Sequence, residues 1–166
     1  MPVKFGISFT TAFLNQGSAL IWIYIDGSVS VSTGGVEMGQ ELNSKVALVV
    51  AKVLGIPFEQ IRVESSHTQR TGNASPTAAS TGSDINGNAA RIAAEKLRAN
   101  LEPIAAKMLA EQGTEPGAEI SFENGCVFAR QAASIKISFA ELIRRAHQER
   151  VALGAYAYYA TPDLWF

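Results

Sequence analysis

The hydrophobic and polar positions along the chain change period several times, and each change marks a predicted element. Residues 3–9, 19–25 and 28–32 are predicted to be strands: the first and third runs alternate apolar with polar residues, the period of a strand with one buried face, and the second run is apolar throughout. Asp26-Gly27, between the second and third runs, is a strong hairpin signal. We therefore expect the chain to begin with three strands of an antiparallel meander.

Two long segments carry the helical period instead. Apolar residues recur at helical spacing over about 41–54, and Gly55 follows as a stop signal. A second stripe runs from the caps expected at Ser83-Asp84 to Met108, and Pro103 should kink or split that helix. The middle of the chain is therefore predicted to be helical.

The remaining elements are short strands and one more helix. The strands are predicted over 60–65, 119–123, 126–130, 135–138 and 156–159. Asn124-Gly125 is the strongest hairpin signal, and Ser138 and Glu141 have the spacing of a capping box. The predicted fold is α+β, with antiparallel or mixed sheet strands packed against two to three helices.

Composition narrows the class of protein. The 166 residues suit one domain, and 47% hydrophobic with 17% charged residues is typical of a soluble globular protein. A net charge of −1 argues against binding to nucleic acid. The single cysteine, Cys126, excludes an internal disulfide framework and is expected to be a buried structural thiol. Without a signal peptide or membrane span, the protein is expected to be cytoplasmic.

Both ends of the sequence are abrupt. A predicted strand begins almost at once, and the chain stops on Leu164-Trp165-Phe166. Natural termini are more often polar and loose. We therefore expect residues 1–166 to be one segment of a domain that is truncated at both ends and belongs to a larger protein.

A glycine-rich turn joins a predicted strand to the first predicted helix. It runs from Thr33 to Gln40 and contains Gly34, Gly35 and Gly39. Glycine permits positive φ and close backbone approach, and a helix start offers free N–H groups, so this turn suits an anion or a flat polar ligand. A tight turn that needs glycine for steric reasons explains the pattern as well. Glu37 is either a pocket carboxylate or a favourable charge at the helix start.

A second approach to a helix has a similar composition. A long polar run over 67–82 is rich in Gly, Ser and Thr and leads into the second helix. The two helix N-termini could converge on one anionic ligand, although neither approach matches a Walker A loop or a Rossmann fingerprint. His67 and His147 have no metal-ligand or triad spacing. The residues alone predict a ligand-binding α+β domain without catalytic machinery.

Three motifs in register resemble one family. They are Gly34-Gly35-Val36-Glu37-Met38-Gly39-Gln40, Ser75-Pro76-Thr77-Ala78-Ala79-Ser80, and Lys4-Phe5-Gly6-Ile7-Ser8-Phe9 followed by Phe13-Leu14-Asn15-Gln16. Together they resemble the molybdopterin-binding region in the large subunit of the molybdenum hydroxylases, the family of xanthine dehydrogenase and aldehyde oxidase. The resemblance covers essentially the whole chain and is nearer to xanthine dehydrogenase.

The resemblance implies two groups of site residues. One group would bind the pterin, with Ala79 beside the molybdenum, and consists of Met38, Gly39, Gln40, Thr77, Ala78, Ala79 and Ser80. The other would contact a purine: Phe9 stacks on it, Thr10 hydrogen-bonds it, and Thr11 and Leu14 line the entry. The resemblance places no metal-ligating side chain and no catalytic residue in this chain.

The chain also departs from the family pattern. The family usually has Thr at 36 and Gly at 41, and often His at 43 and Ser at 82, where this chain has Val36, Glu41, Asn43 and Gly82. These differences are local and concern individual contacts to the pterin or its phosphate.

The implied function is oxidative hydroxylation of purines, from hypoxanthine and xanthine to urate, by a molybdenum–molybdopterin cofactor. Iron–sulfur centres, FAD and NAD would belong to the remaining parts of the large subunit or to partner subunits, as would the catalytic glutamate. We expect the isolated chain to be inactive and the full enzyme to be a homo-oligomer that contacts neither nucleic acid nor membrane. The alternatives are a fragment of aldehyde oxidase or another molybdenum hydroxylase, and a non-catalytic binding or assembly module that has lost the cofactor.

Overall fold

A four-stranded sheet forms one layer of the protein. The computed structural model of the chain describes residues 8–162. Its strands are β1 (Gln16–Ile23), β2 (Val29–Thr33), β3 (Ile61–Val63) and β7 (Gly154–Ala160), in the order β3-β2-β1-β7. β1 pairs antiparallel with β2 and β7, whereas β2 and β3 are parallel. The predicted hairpin between β1 and β2 is confirmed, and Gly27 in its turn has φ +89°.

The predicted opening meander is wrong. The segment 3–9 lies outside the described residues except for Ser8 and Phe9, which are not in a strand. In a meander this segment would pair with β1. In the structure β7 pairs with β1 on that side instead, in a register from Gln16–Ala160 to Trp22–Gly154. This pairing joins distant parts of the chain, so local periodicity could not indicate it.

The two predicted long helices are present as α1 (Leu42–Leu54) and α2 (Gly82–Glu111). Gly55 ends α1 in the left-handed conformation, as predicted. α2 runs through Pro103 as one helix, so of the predicted kink or split the split is wrong. Proline removes only one intrahelical N–H donor, and its neighbours Leu101 and Ile104 are buried on both sides of it, which holds the helix together by packing.

The start of α2 also differs from the prediction. Ser83 and Asp84 are not the caps but lie in the first turn, and Thr81 occupies the cap position. The first helical bond runs from the Ile85 N–H to the Thr81 carbonyl oxygen, over 2.9 Å. The Thr81 side chain makes no capping bond, and its hydroxyl donates back to the Ala78 carbonyl oxygen.

A small second sheet and a third helix complete the fold. The antiparallel strands are β4 (Ile120–Glu123), β5 (Cys126–Ala129) and β6 (Lys136–Ser138), followed by α3 (Phe139–Gln148). Asn124 and Gly125 both have positive φ, as in a type I′ hairpin turn. The capping box at Ser138 and Glu141 is confirmed. Cys126 is half-buried rather than buried.

α2 is the centre of the packing. It contacts α1, β1 and β7 along one part of its length, and α3 and β5 along another. Alanines at 89, 90, 93 and 94 are fully buried, and their small side chains let the helix lie close to the strands. Within residues 8–162, none of the helices has the length and apolarity needed to cross a bilayer. The glycine-rich turn over 33–40 leads into α1, and the polar run over 67–82 leads into α2.

Candidate functional site

Close packing explains two of the three glycines in the turn between β2 and α1. A Cβ atom on Gly34 would lie 2.3 Å from the Ala74 Cβ atom, and one on Gly35 would lie 2.5 Å from Leu42 Cδ2. Gly39 instead has φ +93° and nothing within 4 Å of its ideal Cβ position. The first two glycines are therefore steric requirements, and the third allows the chain to turn into α1.

Glu37 organises this turn. Its Oε1 accepts hydrogen bonds from the N–H groups of Gly39 and Glu41, over 2.9 and 3.0 Å, and its Oε2 accepts one from the Asn43 N–H over 3.0 Å. The bond from Asn43 is the main cause that lowers the pKa of the Glu37 carboxyl, helped by those from Gly39 and Glu41. Glu37 is thus a charge at the helix start, and it occupies N–H groups that an anionic ligand of α1 would need.

Gln40 is also tied into the turn. Its Oε1 accepts the Met38 N–H over 2.6 Å, and its Nε2 donates to the Val36 carbonyl oxygen over 2.8 Å. One amide hydrogen and one lone pair remain for other partners. Glu41 follows with φ 59°, which is the left-handed conformation, at the position where the family usually has glycine.

One hydrogen bond joins the polar run over 67–82 to the glycine-rich turn. The Thr77 Oγ1 accepts the Val36 N–H over 2.9 Å. Beyond it, Ala79 and Ser80 have φ 51° and 55°, and the Thr81 N–H donates to the Ala78 carbonyl oxygen over 3.2 Å. Two consecutive non-glycine residues in the left-handed region are uncommon and strained. Such strain is typical of functional turns.

A cleft of about 300 Å³ lies between these loops and the start of α2. Its lining includes five of the seven residues predicted to bind the cofactor, namely Met38, Gln40, Thr77, Ala78 and Ser80. The other two, Gly39 and Ala79, belong to the same loops but do not line it. The remaining lining residues are Leu42, Lys45, Gly82 and Ser83.

Lys45 is a lining residue that the sequence analysis missed. Its Nζ donates to the Gln40 carbonyl oxygen over 2.9 Å, which holds the ammonium at the cleft. The sequence does carry one signal for it. Lys45 is a lone cation in the first turn of α1, where the helix dipole disfavours positive charge. With Glu37 occupying N–H groups of α1, the charge for an anion comes from Lys45 and from the N-terminus of α2.

The four residues predicted to contact substrate lie on a separate turn before β1. Asn15, buried at this point, accepts the Phe9 N–H at its Oδ1 over 2.9 Å and donates from its Nδ2 to the Phe9 carbonyl oxygen over 2.8 Å. Thr10 and Thr11 are exposed, and Leu14 is half-buried in a 3₁₀ turn. None of the four lines the 300 Å³ cleft.

Comparison with known proteins defines the family. The profile of the molybdopterin cofactor-binding domain matches residues 1–165. The chain belongs to this family. The resemblance found in the sequence and the cofactor class that it implied are thereby confirmed.

Relatives and solved structures agree with this assignment. The chain is 40% identical over all 166 residues to a xanthine dehydrogenase of Oryza sativa subsp. japonica, of which it spans only about 10%. The quinoline 2-oxidoreductase of Pseudomonas putida 86 has the same fold with a TM-score of 0.79 and 25% identity, over 89% of this chain and 19% of that one. A reconstituted CO dehydrogenase from Oligotropha carboxidovorans gives a TM-score of 0.76 and 26% identity, over 89% and 18% of the two chains. The predicted α+β fold is confirmed.

The cleft has the donors that molybdopterin requires. The group combines a flat heterocycle with hydrogen-bonding edges and a phosphate. Ser80, Ser83, Gln40 and Lys45, which carry hydroxyl, amide and ammonium donors, line the cleft, and in the described chain no Asp or Glu does so. Hydroxyl, amide and ammonium donors at a helix N-terminus suit a phosphate. The residues present therefore fit the cofactor of the family.

Proposed function

We propose that this chain holds the molybdopterin of a xanthine dehydrogenase-like enzyme that hydroxylates purines. The supporting observation is the cleft itself, which is lined by residues of both predicted loops and by the start of α2: Met38, Gln40, Thr77, Ala78 and Ser80 from the loops, and Gly82 and Ser83 from the helix. The xanthine dehydrogenase relative supports the choice of purine.

The chain's own residues orient the cofactor and shape the pocket around it. Gln40 and Lys45 present an amide hydrogen and an ammonium, while Ser80 presents a hydroxyl from a strained turn. Ala79 would leave room beside the metal, because its side chain is only a methyl group. When bound, the cofactor supplies the redox chemistry. Phe9, Thr10, Thr11 and Leu14 contact the purine on the turn that Asn15 fixes.

The rest of the enzyme supplies what these 166 residues do not hold. We place the iron–sulfur centres, FAD, NAD and the catalytic glutamate on the remaining parts of the large subunit or on its partner subunits. The chain alone is inactive under this proposal, and the full enzyme is a cytoplasmic homo-oligomer. The short span of the chain on its relatives, about 10% of their length, supports this division of labour.

The test uses the full-length enzyme that contains this segment. We would measure molybdenum per copy and xanthine turnover for the parent, Gln40→Ala and Ala79→Phe. Gln112→Ala and Ala106→Phe are matched controls, because both residues are exposed at or near the far end of α2. We expect loss of molybdenum or turnover only in the first pair. Normal molybdenum and turnover in both would contradict the proposal, and absence of molybdenum from the parent would favour the non-catalytic module.

A second candidate is a molybdenum hydroxylase with another substrate. The solved neighbours of this fold include quinoline 2-oxidoreductase and CO dehydrogenase, so the fold accommodates other substrates. Comparing xanthine, quinoline and an aromatic aldehyde as substrates of the full enzyme distinguishes the candidates. Turnover of quinoline or the aldehyde without xanthine would favour the second candidate.

A further inference from the structure

The strand β7 presents a regular backbone edge. The Thr161 N–H donates to the Asn15 carbonyl oxygen over 3.0 Å, and the Ile23 N–H donates to the Leu153 carbonyl oxygen over 2.8 Å. Both pairs continue the β1–β7 register, one beyond each end. Hydrogen-bonded and non-hydrogen-bonded pairs alternate in antiparallel sheets. The odd-numbered residues of β7 therefore bond to β1, and the even-numbered ones direct their N–H and C=O groups away from it.

Tyr156 and Tyr158 are the outward-directed residues in the middle of β7. Lys96 confirms this orientation, because its Nζ donates to the Tyr156 carbonyl oxygen over 3.1 Å from outside the sheet. Among residues 8–162, no strand pairs with this edge and no side chain bonds either tyrosine N–H. Both tyrosine side chains are 53% exposed.

Apart from the contact of Lys96 with the Tyr156 carbonyl oxygen, the edge lacks the features that normally prevent pairing with another strand. Its sequence, Gly-Ala-Tyr-Ala-Tyr-Tyr-Ala, contains no charge and no proline, and it continues for seven residues. The opposite edge, β3, has only three residues and carries the charged Arg62. Short length and charge are common protections of a free edge. β7 has neither.

An apolar face adjoins this edge. Cross-strand partners share a face, so Tyr156 and Tyr158 stand beside Leu20 and Ser18 of β1. Trp22, 51% exposed, lies on the same face, and a Cβ atom on its partner Gly154 would come within 2.4 Å of the indole ring. The indole therefore covers the glycine backbone. Exposed aromatic surface that continues into an unpaired edge is typical of an interaction site.

We propose that β7 pairs with an extended strand from the part of the enzyme polypeptide outside these 166 residues. This inference rests on the proposed function, in which the chain is one part of a larger hydroxylase. The relatives supply the length for such a strand, since the chain spans about 10% of them. The partner strand has apolar side chains at alternate positions, because the tyrosines and Trp22 offer no charge to match. Lys96 releases the Tyr156 carbonyl oxygen when this strand binds.

Residue-resolved hydrogen–deuterium exchange on the full-length enzyme tests the proposal. The amides of Ala157 and Tyr159 bond to β1 in any case and are internal controls. We expect the Tyr156 and Tyr158 amides to exchange within about 10-fold of these controls. Exchange of the outward amides about 100-fold faster or more would show an unpaired edge and overturn the proposal.

A pair of variants separates strand pairing from simple burial. Tyr158→Pro removes an outward N–H that β1 does not use, whereas Tyr158→Ala keeps the N–H and removes the same ring. Proline is tolerated on an edge whose N–H faces solvent, but not where the N–H is paired. We expect Tyr158→Pro to restore fast exchange at Tyr156 and Tyr158→Ala to leave it slow. Equal exchange in the two variants would contradict strand pairing.

Two other occupants give distinct results. Protection that disappears on dilution would identify a second copy of the enzyme and overturn the proposed partner. Protection lost in Ile7→Pro, with Tyr158 intact, would identify residues 1–7 as the occupant and overturn it as well. Molybdenum content measured on the same preparations keeps the outcomes separate, because a parent enzyme without molybdenum would contradict the proposed function whatever its exchange pattern.

Discussion

The side-chain oxygen of Thr77 accepts a hydrogen bond from the Val36 N–H over 2.9 Å and thereby joins two loops that are 41 residues apart in the sequence. Both loops line the same cleft, so this bond sets the distance between its walls. Removing the acceptor should loosen the site while the rest of the fold stays intact.

Thr77→Val tests this relationship, since valine has a similar shape but cannot accept the bond. We expect molybdenum retention by the full enzyme to fall, with a stability loss of about 0.5–1.5 kcal/mol for one hydrogen bond. Thr77→Ser keeps the hydroxyl and is the control. Unchanged molybdenum content in the valine variant would show that the loops keep their separation without this bond.

Glu37 should make the stability of the chain depend on pH. Its pKa in the folded protein lies below the ordinary value of 4.5, chiefly because it accepts the Asn43 N–H. The stabilisation is therefore complete above pH 4.5 and is lost as the pH falls through the folded pKa. In Glu37→Gln the acid limb of the stability curve should flatten. Urea unfolding at a series of pH values measures this effect.

Glu115→Gln is the matched control, because Glu115 is an exposed carboxylate in the loop after α2. A curve for Glu37→Gln that coincides with the parent curve across the acid range would contradict the assigned role.

Gly55 is held by two independent constraints. Its φ is +65°, and a Cβ atom there would lie 2.1 Å from the Phe122 carbonyl oxygen. We expect Gly55→Ala to lower the free energy of unfolding by about 2–5 kcal/mol, from backbone strain and overpacking together. Gly72 has no positive φ and nothing within 4 Å of its Cβ position, so Gly72→Ala should change stability by less than about 0.5 kcal/mol. Similar effects of the two substitutions in urea unfolding would be inconsistent with the packing described.

Glu41 offers a stabilising substitution. Its φ of 59° costs a non-glycine residue about 1–2 kcal/mol, whereas glycine pays about 0.5–1 kcal/mol in lost chain freedom. Glu41→Gly should therefore raise the free energy of unfolding by up to about 1 kcal/mol. Glu115→Gly, in an exposed loop without positive φ, should be neutral or slightly destabilising. A loss of stability in Glu41→Gly larger than in the control would refute the strain at this position.

Local signals explain which elements the sequence could predict. The hairpin at Asn124-Gly125, the capping box at Ser138 and the end of α1 at Gly55 each depend on neighbouring residues, and the structure confirms all three. The pairing of β7 with β1 depends on residues more than a hundred positions apart, and no period in the sequence encodes it. The split predicted at Pro103 is wrong for a related reason, because the packing of Leu101 and Ile104 that carries the helix through it is tertiary.

The sequence predicted the candidate site only as far as local composition indicates it. Composition alone indicated two small-residue approaches to helix starts, and they do meet at one cleft. The role of Glu37 stayed open because it depends on how the backbone turns back at Gly39 and Glu41. Lys45 and Asn15 were missed because their importance comes from side-chain bonds to backbone atoms, one for Lys45 and two for Asn15, which residue type does not reveal.

The walls of the cleft are fixed largely through main-chain atoms. The side chains of Glu37, Gln40, Thr77 and Thr81 all bond to backbone N–H or C=O groups, so these bonds do not depend on the identity of the residues that they reach. Val36 takes part only through its N–H and carbonyl oxygen, and its side chain is exposed. Side chains at such positions can therefore be exchanged without changing the shape of the cleft.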